Sequence, residues 1–162
     1  MKKKNSQSPY IVKSSEIHGK GIFAKKDIPK GTKIIKYVGK RVSRKEGNKI
    51  AEEQYNKSKE MGSGAVYIFE LNKKEDIDGN VSWNIARHIN HSCEPNCKYN
   101  IIDNHIWVIS IRDIKKGEEL NYDYGYDLVE YKNHPCKCNS KNCPGYIIGK
   151  RYRKKFERLK KN

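Results

Sequence analysis

Apolar residues along this chain come in short runs, separated by clusters of Gly, Pro, Asn and Asp. Tyr10–Lys13 (YIVK) and Gly21–Ala24 (GIFA) are two such runs and predict strands. Lys33–Val38 (KIIKYV) is β-branched, is bounded by Gly31 and Gly39, and predicts a third. Ala65–Leu71 (AVYIFEL) predicts a fourth. Cys97–Ile102 and His105–Ile111 flank Asp103-Asn104 and predict a hairpin. Helical spacing occurs in two places. Ser43 and Glu46 form a capping box, Ile50, Ala51 and Tyr55 recur on one face, and Gly62 supplies a stop, which predicts a helix over 44–60. A basic stretch at 150–160 carries Tyr152, Phe156 and Leu159 on one stripe, read as a face that docks on the core.

Two similar turns, Lys26–Gly31 and Arg112–Gly117, each deliver an apolar run. Many short strands, Gly-rich turns and one inserted helix predict a mainly β domain of small sheets rather than a βαβ fold. The length of 162 residues fits one domain with a short tail or two. Hydrophobic residues are 35%, charged residues 33% and mean hydropathy −0.98, so the core is lean. No run reaches the ~20 apolar residues of a membrane span. The leading Met1–Ser6 segment is basic with no apolar run behind it, so no secretory leader is expected. An odd count of five Cys in a reducing compartment argues for metal binding over disulfides. The net charge of +16 is concentrated in the ends: Lys150–Asn162 alone holds eight Lys/Arg and one acid. Such ends suit a polyanion or an acidic surface, and they also suit plain solubility.

Four segments carry candidate chemistry. Arg87–Cys97 (RHINHSCEPNC) packs two His, two Asn, two Cys and a Pro into a stretch that resists regular structure. Gly117–Tyr126 places three tyrosines within five residues, each an apolar ring with one hydroxyl, suited to lining a narrow channel. Cys136–Cys143 is a C-x-C-x4-C cluster, one thiolate short of a tetrahedral zinc site, and Cys93 or Cys97 must supply the fourth. His18–Phe23 contains a G-x-G turn, a weak signal on its own.

Taken in order, these segments and Tyr37-Val38-Gly39 resemble the SET-domain protein lysine methyltransferase family. The resemblance covers about residues 10–147 and rests on the G-x-G, Y-x-G, R-x-x-N-H-S-C-x-P-N, E-L-x-Y-D-Y and C-x-C-x4-C motifs. It implies small sheets around a pseudoknot-like threaded active site, with a C-terminal zinc-binding post-SET segment. It divides the chain into a disordered basic lead (1–9), a SET domain (10–128), a post-SET segment (129–149) and a basic tail (150–162). It implies S-adenosylmethionine as cofactor, met by Gly19, Lys20, Gly21, Arg87, Asn90, His91 and Tyr124. Tyr124 matches the catalytic tyrosine, Tyr67 a channel-lining aromatic, and Tyr122 the position that limits how many methyl groups are added. A tyrosine there implies mainly monomethylation. Cys93 is implied as the fourth zinc ligand with Cys136, Cys138 and Cys143, leaving Cys97 spare. His88 stands where the family usually has an aromatic or apolar residue, and no Cys-rich segment precedes residue 10.

The basic ends suit a target bound to DNA, so the expected substrate is a lysine of a histone or histone-like basic protein, in a cytoplasmic or nuclear/nucleoid setting or, for a pathogen, a host cell, with non-specific nucleic-acid contact through the ends and no membrane partner. Two rivals remain: a basic zinc-containing nucleic-acid-binding module, and a catalytically silent SET fold that reads peptides. The first leaves Arg87–Asn96 and the tyrosines unexplained. Retained Tyr124, Asn90 and His91 argue against the second.

Overall fold

The short apolar runs pair into three small sheets. A computed structural model describes residues 8–61, 65–129 and 131–161. The first sheet joins β1 (Tyr10–Ser14), β2 (Lys20–Ala24), β10 (Glu119–Tyr122) and β7 (Asn90–His91) in that order. The second joins β3 (Lys33–Tyr37), β9 (His105–Ser110) and β8 (Cys97–Ile102). The third joins β4 (Lys40–Ser43), β6 (Glu75–Asp78) and β5 (Ile68–Glu70). The expected strand at 65–71 is confined to Ile68–Glu70, because Ala65, Val66 and Tyr67 leave the sheet to line a cavity. The β8–β9 hairpin turns through Asp103 (φ 49°) and Asn104 (φ 58°), the left-handed pair a type I′ turn requires.

Helix α1 (Arg44–Glu60) starts with the expected capping box: the Ser43 hydroxyl accepts from the Glu46 N–H, and the Glu46 carboxylate accepts from the Ser43 N–H. It ends at Met61, and the expected stop at Gly62 lies outside the described residues. The helix is fixed to β6 by Arg44, whose guanidinium meets the buried Asp76 carboxylate at 2.8 Å. Most of the expected basic lead, residues 1–7, is likewise outside the described residues.

The core is aliphatic: Ile22, Ile28, Ile89, Ile106, Val108, Ile114 and Leu120 are fully buried. The two similar turns meet there, since Ile28 and Ile114 pair as an antiparallel bridge with N–H···O distances of 2.8 and 2.9 Å. Helix α2 (Lys150–Leu159) docks through Phe156, whose ring packs edge-on against Tyr131 and Tyr146 at 5.0 and 6.1 Å. Leu159 is 56% exposed, so the docking stripe ends one turn earlier than its spacing predicts. Among the described residues, no helix is long and apolar enough to cross a membrane.

Candidate active site

Strand β10 lies between β2 and β7 and runs parallel to β7, so Asn121 faces Asn90 and Tyr122 faces His91. This pairing brings the Asn-His segment and the tyrosine segment together across thirty residues of chain. Side chains hold the junction where the ladder is short. Asn96 donates to the Glu119 carbonyl (2.8 Å) and accepts from the Asn121 N–H (3.0 Å), while the Asn121 side chain accepts from the Asn96 N–H (3.1 Å).

The Asn90 amide points under the G-x-G turn. It lies 3.2 Å from the His18 carbonyl, 3.1 Å from that of Lys20, 3.1 Å from the Ser15 hydroxyl and 2.8 Å from the Glu119 carboxylate. Gly19 has φ +48° and open space beside it, the conformation and clearance expected of a backbone that a ligand approaches. At Gly21 a Cβ would collide with the Glu119 carboxylate, so its missing side chain makes room for Glu119. Ser15 and Glu119 are polar site residues to which the sequence reading gave no role. Ser15 carries no signal of its own, whereas Glu119 opens the E-L-x-Y-D-Y motif.

A cavity of about 410 Å³ opens between this junction and the C-terminal segment. His18, Gly19, Lys20, Arg87, Asn90 and His91 line one part of it. Tyr67, Phe69, Tyr99, Tyr122, Tyr124 and Tyr126 form an aromatic wall in another. Successive rings touch: Phe69–Tyr99 at 4.6 Å, Tyr37–Phe69 at 4.9 Å, Tyr122–Tyr124 at 5.1 Å and Tyr124–Tyr126 at 5.6 Å. The Tyr124 hydroxyl donates to the Ile89 carbonyl at 2.9 Å, so its proton is anchored and its oxygen keeps acceptor capacity. Burial, and then the nearby Tyr124 ring for Tyr122 and the nearby Tyr126 ring for Tyr124, hold both well above the usual phenol range; burial pushes Tyr126 up to about 12. All three are neutral donors at physiological pH. Tyr67 is placed by its backbone: its carbonyl accepts from the Tyr37 hydroxyl (2.8 Å) and its N–H donates to Gln54 (2.8 Å). Arg87 reaches Asn80 at 3.5 Å. Burial, with Arg87 and Lys20 nearby, pushes His88 down, so this lining imidazole is neutral.

Cys93, Cys136, Cys138 and Cys143 bring their sulfurs within 4.8 Å of one another. The Cys93 sulfur lies 3.9 Å from that of Cys136 and 3.8 Å from that of Cys143. A tetrahedron with zinc–sulfur bonds of about 2.3 Å has edges of about 3.8 Å, so the set fits zinc. Donation to Cys136 holds the Cys93 thiol up, and the same contact together with His91 pulls Cys136 down to about 3. A thiolate is thus favoured within the cluster. Cys97 sits elsewhere, buried at the start of β8 in the aliphatic core, which pushes its thiol up to about 12.

His91 joins the two halves of the site. Its Nδ1 accepts from the Tyr124 N–H at 3.1 Å, which leaves the ring proton on Nε2, 3.4 Å from the Cys93 sulfur. Arg153 makes a second strap: it donates to the Cys93 carbonyl (2.7 Å) and the Ile148 carbonyl (3.0 Å) and meets Asp123 at 3.3 Å. Sequence reading missed it because it is one cation in a basic run.

The model for the SET domain matches residues 19–125. Histone-lysine N-methyltransferase trr of Drosophila melanogaster is 41% identical over 124 residues, 74% of this chain and 5% of that protein. A histone-lysine N-methyltransferase, H3 lysine-4 specific, of Chaetomium globosum is 38% identical over 121 residues, 72% of this chain and 11% of its own length. Histone-lysine N-methyltransferase trithorax of Drosophila virilis is 37% identical over 149 residues, 89% of this chain and 4% of that protein. The chain therefore spans only a small part of these relatives. With the family match extending over most of the chain, through the G-x-G turn, the Asn90-His91 junction and Tyr124, this protein belongs to the SET-domain family.

Proposed function

We propose that this chain is an S-adenosylmethionine-dependent protein lysine N-methyltransferase that acts on a histone or histone-like basic protein and adds mainly one methyl group. The observation that carries the reading is the meeting of the Asn90–Gly19 pocket with the aromatic wall at Tyr124. The names of the relatives, all histone-lysine N-methyltransferases, support the substrate class.

When bound, S-adenosylmethionine supplies an activated methyl group on a sulfonium. Gly19, Lys20, Arg87, Asn90 and His91 are the residues to hold it, with Asn90 fixing the G-x-G carbonyls. A substrate lysine must be a free amine to attack, and from a pKa of about 10.4 that costs roughly 4–5 kcal/mol at pH 7. The aromatic wall disfavours an ammonium by desolvation, and burial keeps Tyr122, Tyr124 and Tyr126 neutral. The Tyr124 hydroxyl and the Ile89 carbonyl it contacts supply the fixed polar edge that orients the amine. The acceleration is mainly positional. Tyr122 is buried against Phe69, Tyr99 and Tyr124, where its hydroxyl takes space that a second methyl would need.

Transfer of labelled methyl to histones, to a lysate of the source organism and to naked DNA tests the reading. Label on a protein, reduced about 100-fold by Tyr124→Phe with cofactor binding kept, is the expected result. Unchanged turnover in Tyr124→Phe would remove its role, and absent cofactor binding would hand the reading to the nucleic-acid-binding rival. Mass spectrometry of exhausted reactions is expected to show monomethyl-lysine; mostly trimethyl-lysine contradicts the role of Tyr122.

A further inference from the structure

Helix α2 is basic, docked and oriented. Phe156 is buried against Tyr131 and Tyr146, Arg153 is strapped to Cys93, Ile148 and Asp123, and the Lys150 N–H donates to Asp123 at 2.8 Å. The helix therefore cannot roll. At about 100° per residue, Lys150, Arg151, Lys154, Lys155 and Arg158 fall within an arc of about 140°, and Lys161 follows just past the helix end. The centre of that arc lies opposite Phe156. All six are exposed, and none makes an ion pair among the described residues. Glu157, the helix's acid, falls outside the arc. Tyr152 sits beside it with the Arg151 guanidinium stacked over its ring at 4.6 Å.

Six unpaired cations on one face of a rigid rod and at its end repel each other and are held together at a standing cost. The core needs only Phe156, and one or two charges would keep the helix soluble. A fixed stripe of this density complements a fixed, dense line of negative charge. We propose that the outer face of α2 binds the phosphate backbone of duplex DNA, without reading sequence, and holds the catalytic domain on DNA-bound substrate. The stripe carries the polyanion argument on its own. The choice of DNA rests on the histone reading above, because a histone is carried on DNA.

The test is binding of the full chain to a short mixed-sequence DNA duplex, with no histone and no cofactor, across about 50–200 mM salt. Six phosphate contacts give a log–log salt slope of about −5. The triple variant Lys154→Gln, Lys155→Gln, Arg158→Gln keeps helix propensity. It is expected to bind more weakly, with a slope shallower by about 2.7. A charge-matched triple on the outer face of the β3–β9–β8 sheet, Lys33→Gln, Lys36→Gln, Lys98→Gln, is expected to keep the parent slope. Equal loss in both triples would reduce the effect to net charge and overturn the proposal. So would failure of the parent to bind duplex, or an acidic polypeptide that competes as well as DNA. Methyl transfer to a free histone peptide, measured in parallel, is expected to be unchanged in the α2 triple. Its absence in the parent would count against the enzyme reading and leave the binding result standing.

Discussion

His91 offers a way to separate the cysteine cluster from the Tyr124 segment with two substitutions. Its ring makes two buried contacts of different kinds, Nδ1 with the Tyr124 N–H at 3.1 Å and Nε2 with the Cys93 sulfur at 3.4 Å. Asparagine places a polar atom near the Nδ1 position and nothing near Nε2; glutamine reaches the Nε2 position and leaves Nδ1 empty. His91→Asn should therefore keep the Tyr124 contact and strip the thiolate of its donor. Loss of such an outer partner weakens metal affinity about 10–100-fold, or about 1.4–2.8 kcal/mol. His91→Gln should hold zinc near the parent affinity but leave the Tyr124 N–H without an acceptor, at about 1–3 kcal/mol. For a chain of this size that lowers Tm by about 2–12 °C. Zinc competition against a chromophoric chelator reads the first effect, and thermal unfolding of zinc-loaded protein reads the second. Zinc affinity in His91→Asn within twofold of the parent would refute the assignment of the ring proton to Nε2.

Three further outcomes are expected. Cys97→Ser should retain one zinc per chain by elemental analysis while Cys93→Ser loses it; the reverse would exchange the fourth ligand assigned here. Phe156→Ala should cost about 3–5 kcal/mol in chemical denaturation, because its ring is fully buried between Tyr131 and Tyr146; a loss under about 1 kcal/mol would mean that α2 is not docked. Tyr37, Tyr122, Tyr124 and Tyr126 are raised by burial, so the unfolded chain gives up these protons first. Their contribution is intact below pH 10 and is lost as pH rises towards the folded values, at about 1.4 kcal/mol per pH unit for each. Absorbance titration of the folded protein in which every tyrosine ionises near pH 10 would contradict this.

What could be read from the chain alone follows from how local each cause is. Helix α1 was legible to the residue because its capping box is written in Ser43 and Glu46. The β8–β9 hairpin was legible because Asp103-Asn104 tolerate positive φ. Strand β6 was not: Glu75-Asp76-Ile77-Asp78 looks like a solvated turn, and only Arg44, from another element, makes a buried Asp76 tolerable. Ala65–Tyr67 erred the other way, because apolar residues that wall a cavity carry the same pattern as a strand. The β7–β10 pairing is two residues long and owes its stability to Asn96 and Asn121, so no periodicity announces it. Cys93 and Cys97 are equivalent by composition. The family resemblance separated them, and the fold agrees, since β8 turns Cys97 inward. Ser15 and Arg153 were invisible, and Glu119 was legible only as the first letter of its motif, because their roles are defined by partners 104, 60 and 29 residues away.

The cysteine cluster also sets an order of assembly. Joining Cys93 to Cys136 closes a loop of 43 residues, which costs an unfolded chain about 3 kcal/mol in entropy. Aromatic packing of a short post-sheet segment is a thin margin against that, whereas zinc–thiolate bonding is worth on the order of 10 kcal/mol. During synthesis the three sheets can form while residues 134–147, which include one wall of the cavity, have yet to emerge. A nascent or metal-starved chain would then hold the Asn90–Gly19 pocket with its roof missing. On the methyltransferase reading proposed above, metal loading would complete the cavity last, so the methyl donor's half of the site would exist before the half that encloses a lysine.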